Sequence, residues 1–226
     1  MNGILLLNKP KGLTSHDCCD KIRKIFTAKK VGHMGTLDPL AKGILPVGIN
    51  EGTKIIPFLD NAAKEYIADI YFGYSTTTLD SEGEVTECDR SEKIITKIAF
   101  KNVLRSFLGK QKQQVPLYSA VKVNGMKLYE YARKNIPIKR PVKDVEIFAL
   151  TLISEEEMHN GTDIIIRVKI YCSKGTYIRQ LAYDIGEKLG YPAHLHGLTR
   201  TKFGAFDLED AYTLSQIESN SYKLLS

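Results

Sequence analysis

The four cysteines of this 226-residue chain, Cys18, Cys19, Cys88 and Cys172, include no C-x-x-C pair. That removes the spacing of a zinc knuckle. The five histidines, at 16, 33, 159, 194 and 196, show no metal-ligand spacing either; His194 and His196 share one strand face, a weak pattern by itself. No apolar run is long enough for a membrane span or a signal peptide, since the N-terminal "GILLL" (3–7) is stopped by Pro10 and Gly12. There is no P-loop, no dinucleotide fingerprint and no G-x-S-x-G. Internal repeats, low-complexity segments and clear linkers are missing too. These absences point to a soluble cytoplasmic chain with reduced thiols, and away from metal, nucleotide-phosphate and serine-hydrolase chemistry.

Acid is scarce in two places. Residues 93–129 hold eight Lys or Arg and no Asp or Glu, directly after six acids in 80–92. Lys93, Lys97, Lys101 and Arg105 recur every four residues, which predicts one face of a helix over 91–108, with Ile94, Ile98 and Phe107 near one side. Like charges at that spacing repel, so the stripe favours an anionic partner over a merely solvated face. "KNIPIKRPVK" (134–143) adds four more basic residues in a Pro-containing, exposed segment, although a net charge of +6 is modest for this length. The second scarcity surrounds Asp38 in "GHMGTLDPLAKGILPVG" (32–48), where no other acid lies within ten residues.

At 43% hydrophobic the chain can bury one sizeable core, and one domain is expected. "GILLL" reads as a buried strand, and "TSHDCCDKIRKIF" (14–26) as a helix capped by Thr14 or Ser15. "ILPVGI" (44–49) is a short strand. "KEYIADIYFG" (64–73) alternates with Tyr66, Ala68, Ile70 and Phe72 on one face, the period of a strand. "YSAVKVNGMKLYEYAR" (118–133) reads as strand, Asn-Gly turn and helix. Two strands at 145–153 and 163–172, a helix at 176–189 and a strand-like tail with a short helix near 214–219 follow. Without a βαβ repeat, this pattern is α+β with a mainly antiparallel sheet flanked by helices.

Asp38 admits two compatible readings. Asp-Pro before "LAKG" suits a helix N-cap with Pro at the first helical position. Alternatively the acid is chemical: Pro39 restricts its backbone, and Gly32 and Gly35 let the chain approach a ligand closely. A lone carboxylate does not suit glycoside hydrolysis, which uses two; it suits a nucleophile. Such a carboxylate must stay ionised, which a nearby guanidinium favours. Thr176 as an N-cap puts Arg179 in the first turn of its helix, where a cation is disfavoured without an anionic partner.

Taken together the motifs are specific. "NKPKGLTSHD" (8–17), "VGHMGTLDPLAKGILPVGINEGTKI" (31–55), "KEYIADIYFG", "YSAVKVNGMKLYEYAR" and "SKGTYIRQLAYDIGEKLGYPAHLHGLTRTKFGAF" (173–206) occur in an order similar to that of the TruB-type tRNA pseudouridine-55 synthases. The resemblance covers nearly the whole chain. It implies the pseudouridine synthase fold and an isomerase that flips a T-arm uridine of tRNA, detaches the base and rejoins it through C5. No cofactor, metal, membrane or protein partner is implied, and the chain is expected to act as a monomer.

By resemblance Asp38 is the catalytic aspartate, Tyr66 stacks on the uracil and helps remove the C5 proton, and Arg179 pairs with the catalytic acid. His33, Tyr177 and Leu198 line the flipped-base pocket. Lys9, counted with the substrate-binding set, belongs with Pro10 to a block that buttresses the catalytic loop. Residues 110–143 match an RNA-embracing insertion whose Lys139, Arg140 and Lys143 form a basic surface. "QVPLYSA" (114–120) is one residue shorter than the family's usual "VPPxYSA" stretch, and no C-terminal PUA domain is expected within the chain. The rivals are a related synthase acting on another RNA and a non-catalytic RNA-binding module; the joint presence of Asp38 and Arg179 favours an enzyme.

Overall fold

The computed structural model describes residues 1–59, 61–154 and 158–225. In chain order, β1 (Gly3–Lys9), α1 (Ser15–Ile25), β2 (Val31–His33) and β3 (Lys42–Ile49) lead through a 3-10 segment (Asn50–Ile55) to α2 (Ile56–Leu59) and β4 (Lys64–Phe72). β5 (Tyr74–Thr76), β6 (Val85–Cys88), β7 (Lys93–Thr96), α3 (Lys97–Arg105), β8 (Gly109–Gln114), β9 (Lys122–Val123), β10 (Met126–Lys127) and α4 (Leu128–Arg133) follow. Then come β11 (Val142–Leu152), β12 (Met158–Gly161), β13 (Ile164–Cys172), α5 (Ile178–Leu189), β14 (Ala193–Phe203), β15 (Phe206–Asp207) and α6 (Leu214–Glu218). No helix among the described residues is long and apolar enough to cross a membrane.

The chain forms two compact units, Met1–Ile67 with Leu198–Ser226, and Ala68–Gly197. In the first unit the strand order is β1-β3-β14-β4, with β2 on β3 and β15 on β14. β1 pairs antiparallel with β3 from Gly3↔Ile49 to Lys9↔Gly43, and β14 runs parallel to β3 at Thr199↔Lys42 and Arg200↔Gly43. Ile4, Leu6, Met34, Ile44 and Phe203 make a dry core here, each large side chain contributing roughly 1.5–3 kcal/mol by leaving water. α1 opens on a capping box: the Asp17 N–H donates to Thr14 Oγ1 at 3.0 Å, and the Thr14 N–H donates to the Asp17 carboxylate at 2.9 Å. The helix buries Cys18, Cys19 and Ile22, and burial pushes the Cys19 thiol up to about 12. That thiol is inert at neutral pH.

In the second unit the order is β4-β13-β11-β8. β11 pairs antiparallel with both β8 and β13. β13 alternates buried and exposed along its whole length, and the Tyr66, Ala68, Ile70 and Phe72 face of β4 is buried, as its period predicts. The α+β reading with a mainly antiparallel sheet holds. The Asn124-Gly125 turn between β9 and β10 is also as expected, with φ of 50° and 83°, a pair that suits a type I′ turn.

The helix expected over 91–108 is a correction. Its first part is β7, paired with β12, and only Lys97–Arg105 is helical. Thr96 caps that helix by accepting the Ala99 N–H, so the helix starts after the strand. Phe100 and Leu104 face inward, while Ile94 and Ile98 are exposed. Lys93 therefore leaves the basic stripe: it is fully buried, and its ammonium donates to the Asp89 and Ser91 carbonyls at 2.7 and 2.9 Å.

Candidate active site

Asp38 lies between β2 and β3, in a loop without helix. The helix-cap reading is thereby corrected: the Ala41 N–H donates to the Asp38 carbonyl at 3.0 Å, closing a tight turn with Pro39 at its second position, where the fixed φ of proline fits. The acid is half-buried.

The loop is held from several sides by side chains of its own unit. Ser15, buried in the first turn of α1, accepts the Leu37 N–H at 2.9 Å and donates to the Leu37 carbonyl at 3.0 Å. The Gly12 N–H donates to the Pro39 carbonyl at 2.8 Å. Lys9 is fully buried at the end of β1, and its ammonium donates to the Ala41 carbonyl at 2.6 Å and the Pro10 carbonyl at 2.9 Å. Arg200, on β14, donates to the carbonyls of Gly35 (3.0 Å) and Ile44 (2.8 Å). A loop with so many backbone groups tied on both sides of one carboxylate presents that carboxylate in a fixed place.

The glycines serve this packing. A Cβ on Gly35 (φ +67°) would sit 2.8 Å from the Phe203 ring and 3.2 Å from the Arg200 guanidinium, and one on Gly32 would sit 2.9 Å from Ile56 Cδ1. The expectation that Gly32 and Gly35 make room for a ligand is corrected: what they admit is protein. Gly43 (φ +107°) is tighter still, with a Cβ position 2.3 Å from the Arg200 carbonyl.

Three further candidates gather on Arg200. Tyr66, 7% exposed on β4, supports the charged Arg200 guanidinium against the lowering effect of burial. His33, at the end of β2, is held below the ordinary imidazole value by burial and then by the positive charge of Arg200. Leu198, 9% exposed, precedes Arg200 by two residues and shares its strand face.

The second unit positions the remaining candidates. α5 begins after Tyr177, so Thr176 is not the N-cap; its hydroxyl instead donates to the Ser173 carbonyl at 3.0 Å. Arg179 still falls in the first turn. Its guanidinium lies 3.6 Å from the Asp80 carboxylate through Nε and donates to the Thr78 and Tyr118 carbonyls at 2.9 and 3.1 Å. Tyr177 is fixed by the amide of Gln113, which accepts its N–H at 2.8 Å and donates to its carbonyl at 3.0 Å. Among the three basic-surface candidates, Lys139 is exposed, Arg140 bonds to Gln114 Oε1, and Lys143 sits 5.8 Å from the centre of the Tyr177 ring.

Asp80, Gln113, Ser15 and Arg200 were missed as site residues. Asp80 lay in an acidic run that reads as solvated surface, and Arg200 in a strand where an arginine is exposed by default. Only the Thr-rich stretch around Asp80 carried any turn signal.

The description "TruB family pseudouridylate synthase (N terminal domain)" matches residues 23–178, and "tRNA pseudouridylate synthase B C-terminal domain" matches 179–224. The chain is 53% identical over 218 residues to tRNA pseudouridine synthase B of Oceanobacillus iheyensis, covering 96% of this chain and 71% of that one. It is 47% identical over 220 residues to the protein of the same name from Bacillus cereus, covering 97% and 72%. A solved Cbf5-Nop10-Gar1 complex contains a chain of which 54% is matched by 96% of this one, at a TM-score of 0.71 and 29% identity. The chain belongs to the TruB family of pseudouridylate synthases.

Proposed function

We propose that this chain is an isomerase that converts a uridine in the T-arm loop of tRNA to pseudouridine, with Asp38 as the nucleophile. The observation that carries the reading is the single carboxylate on a loop clamped by Lys9, Ser15 and Arg200. The names of the 53% and 47% identical relatives support the tRNA substrate.

A uridine within a folded loop must leave its stack before a protein can reach its glycosidic bond, at a cost of a few kcal/mol. The Tyr66 ring and the Leu198 side chain offer the flipped uracil an aromatic face and an apolar wall that offset part of that cost. His33 completes this set around the base, and Tyr177 is assigned to substrate binding. Arg179 is the basic residue assigned to the catalysis. The 110–143 segment, with Lys139, Arg140 and Lys143, grips phosphate. The chemistry needs no cofactor, and the chain works as a monomer in the cytoplasm without a protein partner.

The test is pseudouridine mapping in tRNA transcripts incubated with wild type and Asp38→Asn. Asn suits the first position of the turn as well as Asp does, so the variant changes chemistry and not the loop. Wild type is expected to modify one T-loop uridine. Asp38→Asn is expected to modify none while binding tRNA within about twofold of wild type, a spread below 0.5 kcal/mol. Clear turnover by the variant would sink the assignment.

A further inference from the structure

Gln113 is 5% exposed on β8, although glutamine normally keeps its amide in water. One distant residue accounts for its burial. Gln113 Oε1 accepts the Tyr177 N–H at 2.8 Å, and Gln113 Nε2 donates to the Tyr177 carbonyl at 3.0 Å. A carboxamide carries an acceptor and a donor side by side. It can therefore satisfy both backbone groups of one residue, as a neighbouring strand does in an antiparallel ladder. The peptide planes on either side of Tyr177 are then held together, which fixes the direction in which its ring leaves the backbone.

Tyr177 is the N-cap residue of α5, with φ −94° and ψ 107°, and its side chain does not cap the helix. Its carbonyl also accepts the Leu181 N–H at 3.1 Å. In a capping box the third helical residue reaches back to the N–H of the N-cap residue. Here that third residue is Gln180, and its amide donates to Asp184 Oδ1 at 2.8 Å instead. Gln113 takes over the task from another element. The helix does not need this bond in order to form: it buries Ile178, Leu181, Ala182 and Ile185, and it ends on Gly190 in the left-handed conformation. What the bond sets is where the first turn sits, and Arg179 lies in that turn.

Other parts of the basic insertion meet the same turn. Gln113 faces Lys143 across the β8–β11 ladder, and the Lys143 ammonium is 5.8 Å from the centre of the Tyr177 ring, within cation–π range. The Tyr118 carbonyl, further along the segment that Gln113 begins, accepts from the Arg179 guanidinium at 3.1 Å.

We propose that Gln113 is a positioning residue for the reaction: its amide sets the Tyr177 ring and the first turn of α5, and so places Arg179. The inference rests on the reading above, in which Tyr177 binds substrate and Arg179 takes part in the catalysis.

The test compares wild type, Gln113→Met and Gln113→Glu in the full chain. Methionine keeps the length of the side chain and loses both hydrogen bonds; ionised glutamate keeps the acceptor and loses the donor. Single-turnover conversion of a T-arm stem-loop is measured at saturating protein, beside the affinity for the same RNA. Gln113→Met is expected to bind the RNA within about threefold of wild type and to convert it about tenfold more slowly or worse once bound, the signature of misplaced groups and not of lost binding. Gln113→Glu should lose about threefold or more in the same step. The second readout is the Tyr177 ring itself. In protein labelled with 3-fluorotyrosine, the fluorine resonance of Tyr177 is identified by its loss in Tyr177→Phe. It is expected to move or broaden in Gln113→Met, while those of Tyr66, Tyr212 and Tyr222, in the other compact unit, stay in place.

A bound-state rate equal to that of wild type overturns the proposal. So does a loss confined to RNA affinity, which would make the amide an RNA contact. A slow variant whose Tyr177 resonance has not moved overturns it too, because the loss would not pass through Tyr177. If wild type forms no pseudouridine, the functional reading has failed, and the resonance still decides whether Gln113 places Tyr177. Should Gln113→Met not fold, Gln113→Glu carries both readouts.

Discussion

Arg179 and Asp80 form an ion pair, Nε to Oδ2 at 3.6 Å, with both side chains under a tenth exposed. They are ninety-nine residues apart in sequence (179 − 80) and sit in one compact unit. The pair aims the guanidinium, which also donates to the Thr78 and Tyr118 carbonyls. Asp80 is itself anchored: its carboxylate accepts from the Thr78 hydroxyl and from the Glu82 N–H, at 2.5 and 3.1 Å.

Asp80→Asn removes the carboxylate from this buried ion pair. Breaking such a pair costs about 3 kcal/mol or more, so the melting temperature is expected to fall by roughly 6–12 °C for a chain of this size. Thermal unfolding followed by circular dichroism checks it. A shift under about 2 °C would show that the pair with Asp80 is not what holds the guanidinium in place.

Two glycines with positive φ should answer alanine very differently. At Gly43 the added Cβ meets the Arg200 backbone at 2.3 Å, and no flexible side chain can give way. Gly43→Ala is expected to split the β3–β14 pairing and yield little folded protein. At Gly125 (φ +83°) nothing lies within 4 Å, so Gly125→Ala meets only the backbone strain of about 1–2 kcal/mol. Soluble yield and thermal unfolding of the two variants, made side by side, test the contrast; equal effects would refute it.

His194 is fully buried, with Nδ1 2.9 Å from the Tyr74 carbonyl, so the proton sits on Nδ1 in the neutral ring. Burial holds its value below the ordinary one, against the opposing Tyr74 bond, and His33 is lowered in the same direction. The unfolded chain then binds more protons than the folded one below about pH 6.5. Stability from these two histidines is complete above that pH and is lost as pH falls toward their folded values. The melting temperature should therefore drop between pH 7 and 5.5, and His194→Gln should drop less steeply over that range, whatever its absolute stability. An unaltered slope would clear His194 of the effect.

RNA binding by the 134–143 segment should be strongly salt-dependent. Lys139→Ala is expected to reduce the log–log salt slope by about one, and Ala at Lys139, Arg140 and Lys143 together by up to about three. Filter binding to a tRNA transcript across a salt series measures it. An unchanged slope in the triple variant would mean that these cations face solvent and not phosphate.

The local rules that depend on neighbours in sequence were legible beforehand. The period-two burial of β4, the capping box of Thr14 and Asp17 and the Asn124-Gly125 turn follow from side-chain alternation, a hydroxyl three residues from its N–H, and backbone sterics. The motif around Asp38, read beside four others in order, was enough to place the chain in its family. The tertiary structure decided where the cations go. Lys9, Lys93 and Arg200 look like surface residues in sequence, because an isolated charge belongs in water. Lys9 and Arg200 are buried because folding brings together carbonyls that no local pattern predicts, Ala41 for Lys9 and Gly35 and Ile44 for Arg200, while Lys93 is met mainly by the nearby Asp89 and Ser91 carbonyls. The same reason hid the strand in 93–96, whose spacing of lysines imitates a helix face but whose ladder partner, β12, lies more than sixty residues further along the chain. Periodicity reports which side of an element is dry; only the assembled backbone supplies the acceptors that let a charge stay there.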